Sequence, residues 1–347
     1  MSNDYSSEFN LDDDVIYLNH AAVAPWPCRT ELAVNAFCRE NVTIGSKKYA
    51  NWLKVETHLK KQLATLINAE SVDEIALVKN TSEALSFVAY GLDWKAGDNV
   101  ITSDEEFPSN MIPWESLANQ GVTVKKTALK ELSDPTDALI QQIDPRTRLL
   151  TISSVQYASG LRVDLERLGQ AGQKNGVLFC IDAIQSIGAF PFDVQKYQAD
   201  FVMADGHKWM LGPEGLAVFY CRLQTLDKLK LTQFGWHMVK DVGNYDSKES
   251  GYADSCRRFE CGSPNMLGIH ALSASLSLIE EIGIENISAN IINNISYLID
   301  LLKNIPGLTF VSPTIKPHYA GIVTFTIEGT NMPELYSKLM KNRLICA

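Results

Sequence analysis

Val177-Leu178-Phe179-Cys180-Ile181-Asp182 and Phe201-Val202-Met203-Ala204-Asp205-Gly206-His207-Lys208 are apolar runs that each end in polar residues. Neither alternates apolar with polar, so each reads as a strand buried on both faces. Working outward, similar runs occur at residues 75–78, 99–103, 122–127, 149–155 and 216–220. Helical stretches at 82–91, 110–120, 137–143 and 165–175 alternate with them. Strand-helix-strand repetition implies an α/β fold: a mainly parallel sheet with right-handed crossovers. Upstream, a short strand at 15–18 and helices around 31–41 and 52–67 are expected, with Leu53, Leu59, Leu63 and Leu66 at helical spacing.

Ligands bind beyond the carboxyl ends of such a sheet. Five polar groups fall there: Thr81-Ser82-Glu83, Glu106-Phe107, Gln156, Asp182 and Asp205-Gly206-His207-Lys208. Singly they are ordinary: a lysine past a strand is usually a surface residue, and Ser82 before an apolar helix is usually a cap. Together they match the needs of pyridoxal-5′-phosphate (PLP). Its aldehyde requires a lysine amine, its pyridine nitrogen a carboxylate, its phosphate a helix N-terminus, and its ring an aromatic face.

Asp182-Ala183-Ile184-Gln185, Asp205-Gly206-His207-Lys208-Trp209 and Gly212-Pro213-Glu214-Gly215 resemble the signature of the class V aminotransferases. That family includes cysteine desulfurases, selenocysteine lyases, isopenicillin N epimerase and kynureninase. Asn19-His20-Ala21-Ala22, Asn80-Thr81-Ser82-Glu83-Ala84, Glu106-Phe107 with Asn110, and Arg258-Phe259-Glu260-Cys261-Gly262-Ser263-Pro264 are similar to further blocks, in the right order. The resemblance implies PLP fold type I (aspartate aminotransferase-like): a large domain with a mainly parallel sheet flanked by helices, plus a smaller α+β C-terminal domain. It implies catalytic roles for Lys208, as Schiff base and proton shuttle, and for Asp182, on the pyridine nitrogen. Gln185 is expected at the ring's phenolic oxygen, and Thr81, Ser82 and His207 at the phosphate. Phe107 is expected to stack on the ring. Ser263 would reach the phosphate of a neighbouring subunit, which implies a homodimer with shared active sites. His20 and Gln156 are substrate-side candidates, and Gly235-Trp236-His237 reads as a candidate active-site loop.

The sequence departs from the desulfurase pattern. Desulfurases usually carry His where Phe107 stands, and Phe cannot exchange protons; they carry Ser where Asp205 stands, so Asp205 is expected to turn away from the phosphate or cap a turn. Their nucleophilic Cys and substrate-carboxylate Arg are expected to fall beyond Ala347, so Cys346 and Cys261 read as packing thiols.

The domains expected are an N-terminal arm (1–20), a large PLP-binding domain (21–264) and a small C-terminal domain (265–347). In the last, a long helical region breaks near Gly283, strands follow at 308–311 and 321–327, and a helix at 333–343. Residues 344–347 read like a strand just beginning, so this domain is expected to be incomplete.

A net charge of −10 and the absence of a basic run argue against nucleic acid; Lys60-Lys61 and Lys125-Lys126 read as solvated faces. No apolar stretch reaches membrane-spanning length, and the acidic start is no targeting peptide; a cytoplasmic protein is expected. Seven scattered cysteines lack C-x-x-C, and six histidines form no ligand pattern, so no metal is expected. The function expected is a PLP enzyme acting on an amino acid as a transaminase or cysteine desulfurase-like lyase. The alternatives are an isopenicillin N epimerase-like epimerase, or a non-catalytic PLP-fold binding protein; intact Lys208, Asp182 and His207 weigh against the last.

Overall fold

The computed structural model describes residues 5–130, 132–246 and 251–347; the first four residues of the expected arm lie outside them. The chain runs through β1 (Ile16–Tyr17), α1 (Cys28–Ile44), α2 (Tyr49–Leu66), β2 (Ile75–Val78), α3 (Thr81–Gly91), β3 (Asn99–Ser103) and α4 (Ile112–Glu115). It continues through β4 (Thr123–Thr127), α5 (Pro135–Ile140), β5 (Thr147–Ser153), α6 (Leu165–Asn175), β6 (Leu178–Asp182), β7 (Phe201–Asp205) and β8 (Ala217–Cys221). The last elements are α7 (Met266–Ile282), α8 (Ile284–Leu302), β9 (Leu308–Phe310), β10 (Phe325–Ile327), α9 (Met332–Lys341) and β11 (Leu344–Ile345).

Seven strands form one sheet in the order β2-β8-β7-β6-β5-β3-β4. All neighbours are parallel except that β8 runs antiparallel to both β2 and β7. A parallel return needs a crossover of a dozen or more residues, usually helical. Segment 206–216 is shorter and is occupied by the turn bearing Lys208, so the chain comes straight back beside β7.

The apolar strands bury both faces, as period-two side chains require. Ile101, Leu150, Ile152, Phe179, Ile181, Val202 and Val218 face one way, onto Leu59 and Leu63 of α2, Leu168 of α6 and Leu272 of α7. Val100, Leu149, Leu178, Cys180, Phe201, Met203 and Phe219 face the other, onto Leu85 and Val88 of α3 and Trp114 of α4. Each full burial of such a side chain contributes about 1.5–3 kcal/mol.

The helix expected over 110–120 is broken: α4 spans one turn between 3-10 turns. Pro113 lacks the N–H needed to extend a longer ladder, and the Asn110 amide is engaged with Glu106, Trp114 and Thr151. The final run does form a strand, β11, parallel to β1. Ion pairs from Arg343 to Asp12 (2.6 Å) and Asp14 (2.9 Å) flank this pairing. Among the described residues no single helix is long and apolar enough to cross a membrane. Helices α7 and α8 pass by composition only as a pair, bent by 80°, and α7 is committed to the sheet's core.

Candidate active site

The parallel register sets Ser153, the last residue of β5, beside Asp182, the last of β6. Asp182 is buried and accepts the Ile184 N–H at 3.1 Å. Burial above all pushes its carboxyl up to about 7; nearby Glu106 and Asp205 add to the rise, while the Ile184 N–H and Lys208 oppose it. Lys208 lies in the turn after β7. Burial lowers its ammonium below the ordinary lysine range, against the pull of Asp182 and Asp205. Its Nζ is 5.8 Å from the centre of the Phe107 ring, which meets Tyr157 edge-on at 5.2 Å.

The turn around Lys208 closes tightly. Gly188 has φ +93° and lies against the Trp209 peptide, where an added Cβ would come within 2.3 Å of the carbonyl oxygen. Glycine supplies that backbone at no steric cost. The Trp209 indole donates to Gln185 Oε1 at 2.8 Å, and Gln185 Nε2 donates to the Ala21 carbonyl at 2.9 Å. His20 stacks on Trp209 at 6.0 Å, and burial lowers its pKa. The Ala24 N–H donates to the His207 carbonyl at 2.9 Å. The N-terminal arm is thus one wall of the cleft.

On the phosphate side, α3 begins at Thr81 with Asn80 as its cap, accepting from the Glu83 N–H at 2.9 Å. The Thr81 hydroxyl is buried without a hydrogen-bond partner among the described residues. Ser82 donates to Ser109 at 2.8 Å, tying the helix start to the loop carrying Phe107. His207 Nδ1 is 3.1 Å from Asp205 Oδ1, off the hydrogen-bonding direction, so both buried atoms lack a hydrogen bond. Asp205 therefore faces its neighbour's ring. Such orphans are rare in a finished interior, and these lie at the rim, where a bound group can meet them. A half-buried amine, a buried carboxyl without a full counter-charge, an unmet hydroxyl, an unmet imidazole nitrogen and a helix N-terminus together fit PLP.

Lys208, Asp182, Phe107, Thr81, Ser82, His207, Gln185, Gln156 and His20 thus gather at the carboxyl rim or its arm wall. Ser263 does not join them within one chain; it is exposed in the bend before α7. His237 does not face the cleft either. It is buried 3.7 Å from Glu260 Oε2, beside Glu56 and Lys60. The three potential metal ligands Glu56, His237 and Glu260 do converge, which sequence spacing could not show. The cation among them is Lys60, at 2.7 Å from Glu260 and 3.4 Å from Glu56. Lys60 is consequently buried, not a solvated residue as its pairing with Lys61 suggests. Sequence reasoning placed Glu106 on the rim and Trp209 in a family block but gave neither a task, and it missed Tyr157, whose one signal was its place next to Gln156.

A family model described as aminotransferase class-V matches residues 16–347. A probable cysteine desulfurase from Methanothermobacter thermautotrophicus is 31% identical over 99% of this chain and 86% of its own. The solved cysteine desulfurase CsdA of Escherichia coli has a TM-score of 0.86 at 25% identity, covering 97% of this chain and 85% of that one. The cystine C-S lyase C-DES, solved with its product cysteine persulfide, shares the fold with a TM-score of 0.88 at 24% identity, over 96% and 89%.

Proposed function

Because the chain belongs to the class V aminotransferase family of PLP-dependent enzymes, we propose that the cluster around Lys208 is its active site and that its substrate is a sulfur-bearing amino acid, L-cysteine first. The enzyme is of the cysteine desulfurase type. The observation that carries the site is a half-buried lysine, whose charge is disfavoured, set within the electrostatic reach of a buried Asp182. PLP, when bound, supplies an electron sink for the substrate's α-carbon.

Lys208 holds the cofactor through its amine and carries the proton at that carbon, a task helped by burial that lowers its affinity for protons. Asp182 holds the proton on the ring nitrogen; a cation there relieves the cost of a desolvated carboxylate. Gln185 has one amide N–H left for the ring oxygen after serving Ala21. Thr81, Ser82, His207 and the free N–H groups of α3 bind the phosphate. Phe107 covers the ring and keeps water out. His20 and Gln156 line the substrate side, and Ser263 serves the phosphate of a second copy in a homodimer. The division proposed is an arm (1–20), a PLP-binding unit (21–264) and a smaller unit (265–347), with α7 sharing the larger core. A cytoplasmic setting is proposed with it.

A near-ultraviolet and visible absorbance scan of the protein with PLP tests the site. Wild type shows the band of lysine-bound cofactor, L-cysteine perturbs it, and sulfide appears. Lys208→Ala loses the band; a mutant that kept it would sink the assignment. A wild type with no band would favour the non-catalytic reading. Epimerisation stays the second reading because Phe107 has no proton to exchange, leaving that traffic to Lys208. Chiral analysis of amino acids incubated in deuterated water separates the two.

A further inference from the structure

Glu106 has no part in the roles above, yet it is buried in the loop after β3, directly before Phe107. It accepts from the Ser153 N–H (2.8 Å), the Ser153 hydroxyl (2.5 Å), Asn110 Nδ2 (2.8 Å) and Gln156 Nε2 (2.7 Å). Three of these are N–H groups, which only donate, so the ring of partners is built for a carboxylate. Asn110 is held in turn, its Oδ1 accepting from Trp114 at 3.0 Å and Thr151 at 2.9 Å. The neighbouring Glu105 also ties the two loops, accepting from Ser159 at 3.1 Å.

A carboxylate accepts only. The Gln156 amide must therefore turn its nitrogen toward Glu106 and its oxygen elsewhere. That oxygen is buried in a side chain of 0% exposure and has no partner among the described residues. A buried carbonyl left unmet by its own chain is suited to a donor that arrives with a ligand.

We infer that Glu106 is a positioning residue: it locks the Gln156 amide so that its carbonyl oxygen accepts a hydrogen bond from an N–H or O–H group of the bound cofactor or amino acid. The same anchor precedes Phe107 directly and fixes where that ring stands relative to Lys208. The inference rests on the active-site assignment above and extends it.

The test compares wild type with Glu106→Gln, Gln156→Met and the double variant. PLP affinity is titrated on the apoenzyme, KM and kcat for L-cysteine are measured on the loaded enzyme, and thermal melts report folding. Each single change should weaken one of the two bindings by about tenfold, the usual loss for an unmet buried hydrogen bond. The double variant should be no worse than the weaker single, because both break one chain of contacts. Loss confined to the PLP titration puts the donor on the cofactor; loss confined to KM puts it on the amino acid. Wild-type affinities in a folded Gln156→Met overturn the inference, even if Glu106→Gln fails to fold. Additive losses overturn it too, since they mean that Glu106 does not act through Gln156. Wild-type protein without the lysine-bound band would fail the site assignment itself, a distinguishable outcome.

Discussion

Replacing Lys60 by Met removes the one ammonium that the described residues bring to the cluster beside β2, while nearly keeping its volume. The side chains of Lys60, Glu56 and Glu260 expose only 11%, 8% and 6% of their surface, so water screens them little. Taking one partner from a buried ion pair costs about 3–5 kcal/mol, because the other charge stays buried and unpaired. Unfolding entropy of about 2.1 cal/mol/K per residue, over 347 residues, gives about 0.7 kcal/mol/K. The melting temperature should fall by about 4–7 °C. A second change, Glu260→Gln, removes one stranded charge yet keeps an oxygen for the Leu77 N–H, so the double variant should melt higher than Lys60→Met alone. Circular dichroism melts of the three proteins at neutral pH decide the matter. A shift below about 1 °C for Lys60→Met, or a double variant that melts lower still, would refute the view that these charges are desolvated and mutually compensated.

Asp182 makes apoenzyme stability depend on pH. Between the unfolded carboxyl's value of about 4 and the folded value of about 7, the folded chain holds a proton that the unfolded chain has lost. Stability should therefore fall as pH rises through that window and flatten above it; denaturant melts of Asp182→Asn should lose this slope. Thr81→Val should leave apoenzyme stability unchanged or slightly raised, because an unmet buried hydroxyl becomes a methyl. It should weaken PLP binding by about tenfold in an apoenzyme titration, and unchanged affinity would remove Thr81 from the phosphate site.

The readable parts of this fold were those that local pattern encodes. Apolar runs such as 177–182 announce strands covered on both faces, and polar residues just past their ends mark the rim where Lys208 and Asp182 meet. The direction of β8 was not written in its own residues, which are as apolar as those of β7. It follows from the length and task of segment 206–216. Glu106 is legible in sequence as a rim residue, but its task is not, since that comes from Ser153 and Gln156, far along the chain. Lys60 and Glu260 are separated by 200 residues, and no periodicity reports a charge pair of that span. Pro113 within 110–120 was legible, and its consequence for α4 follows from proline's missing donor.

The pairing of β1 with β11 brings the two ends of the described chain together, with Ile16 opposite Leu344. Closing so long a loop comes late, since its entropic cost must be met before the contact repays it. During synthesis the large sheet can assemble while residues 16–24 still wait for their last neighbour. Those same residues supply the His20 and Ala21 contacts against Trp209 and Gln185. A nascent chain would thus possess its lysine and its aspartate before the wall beside them takes its place.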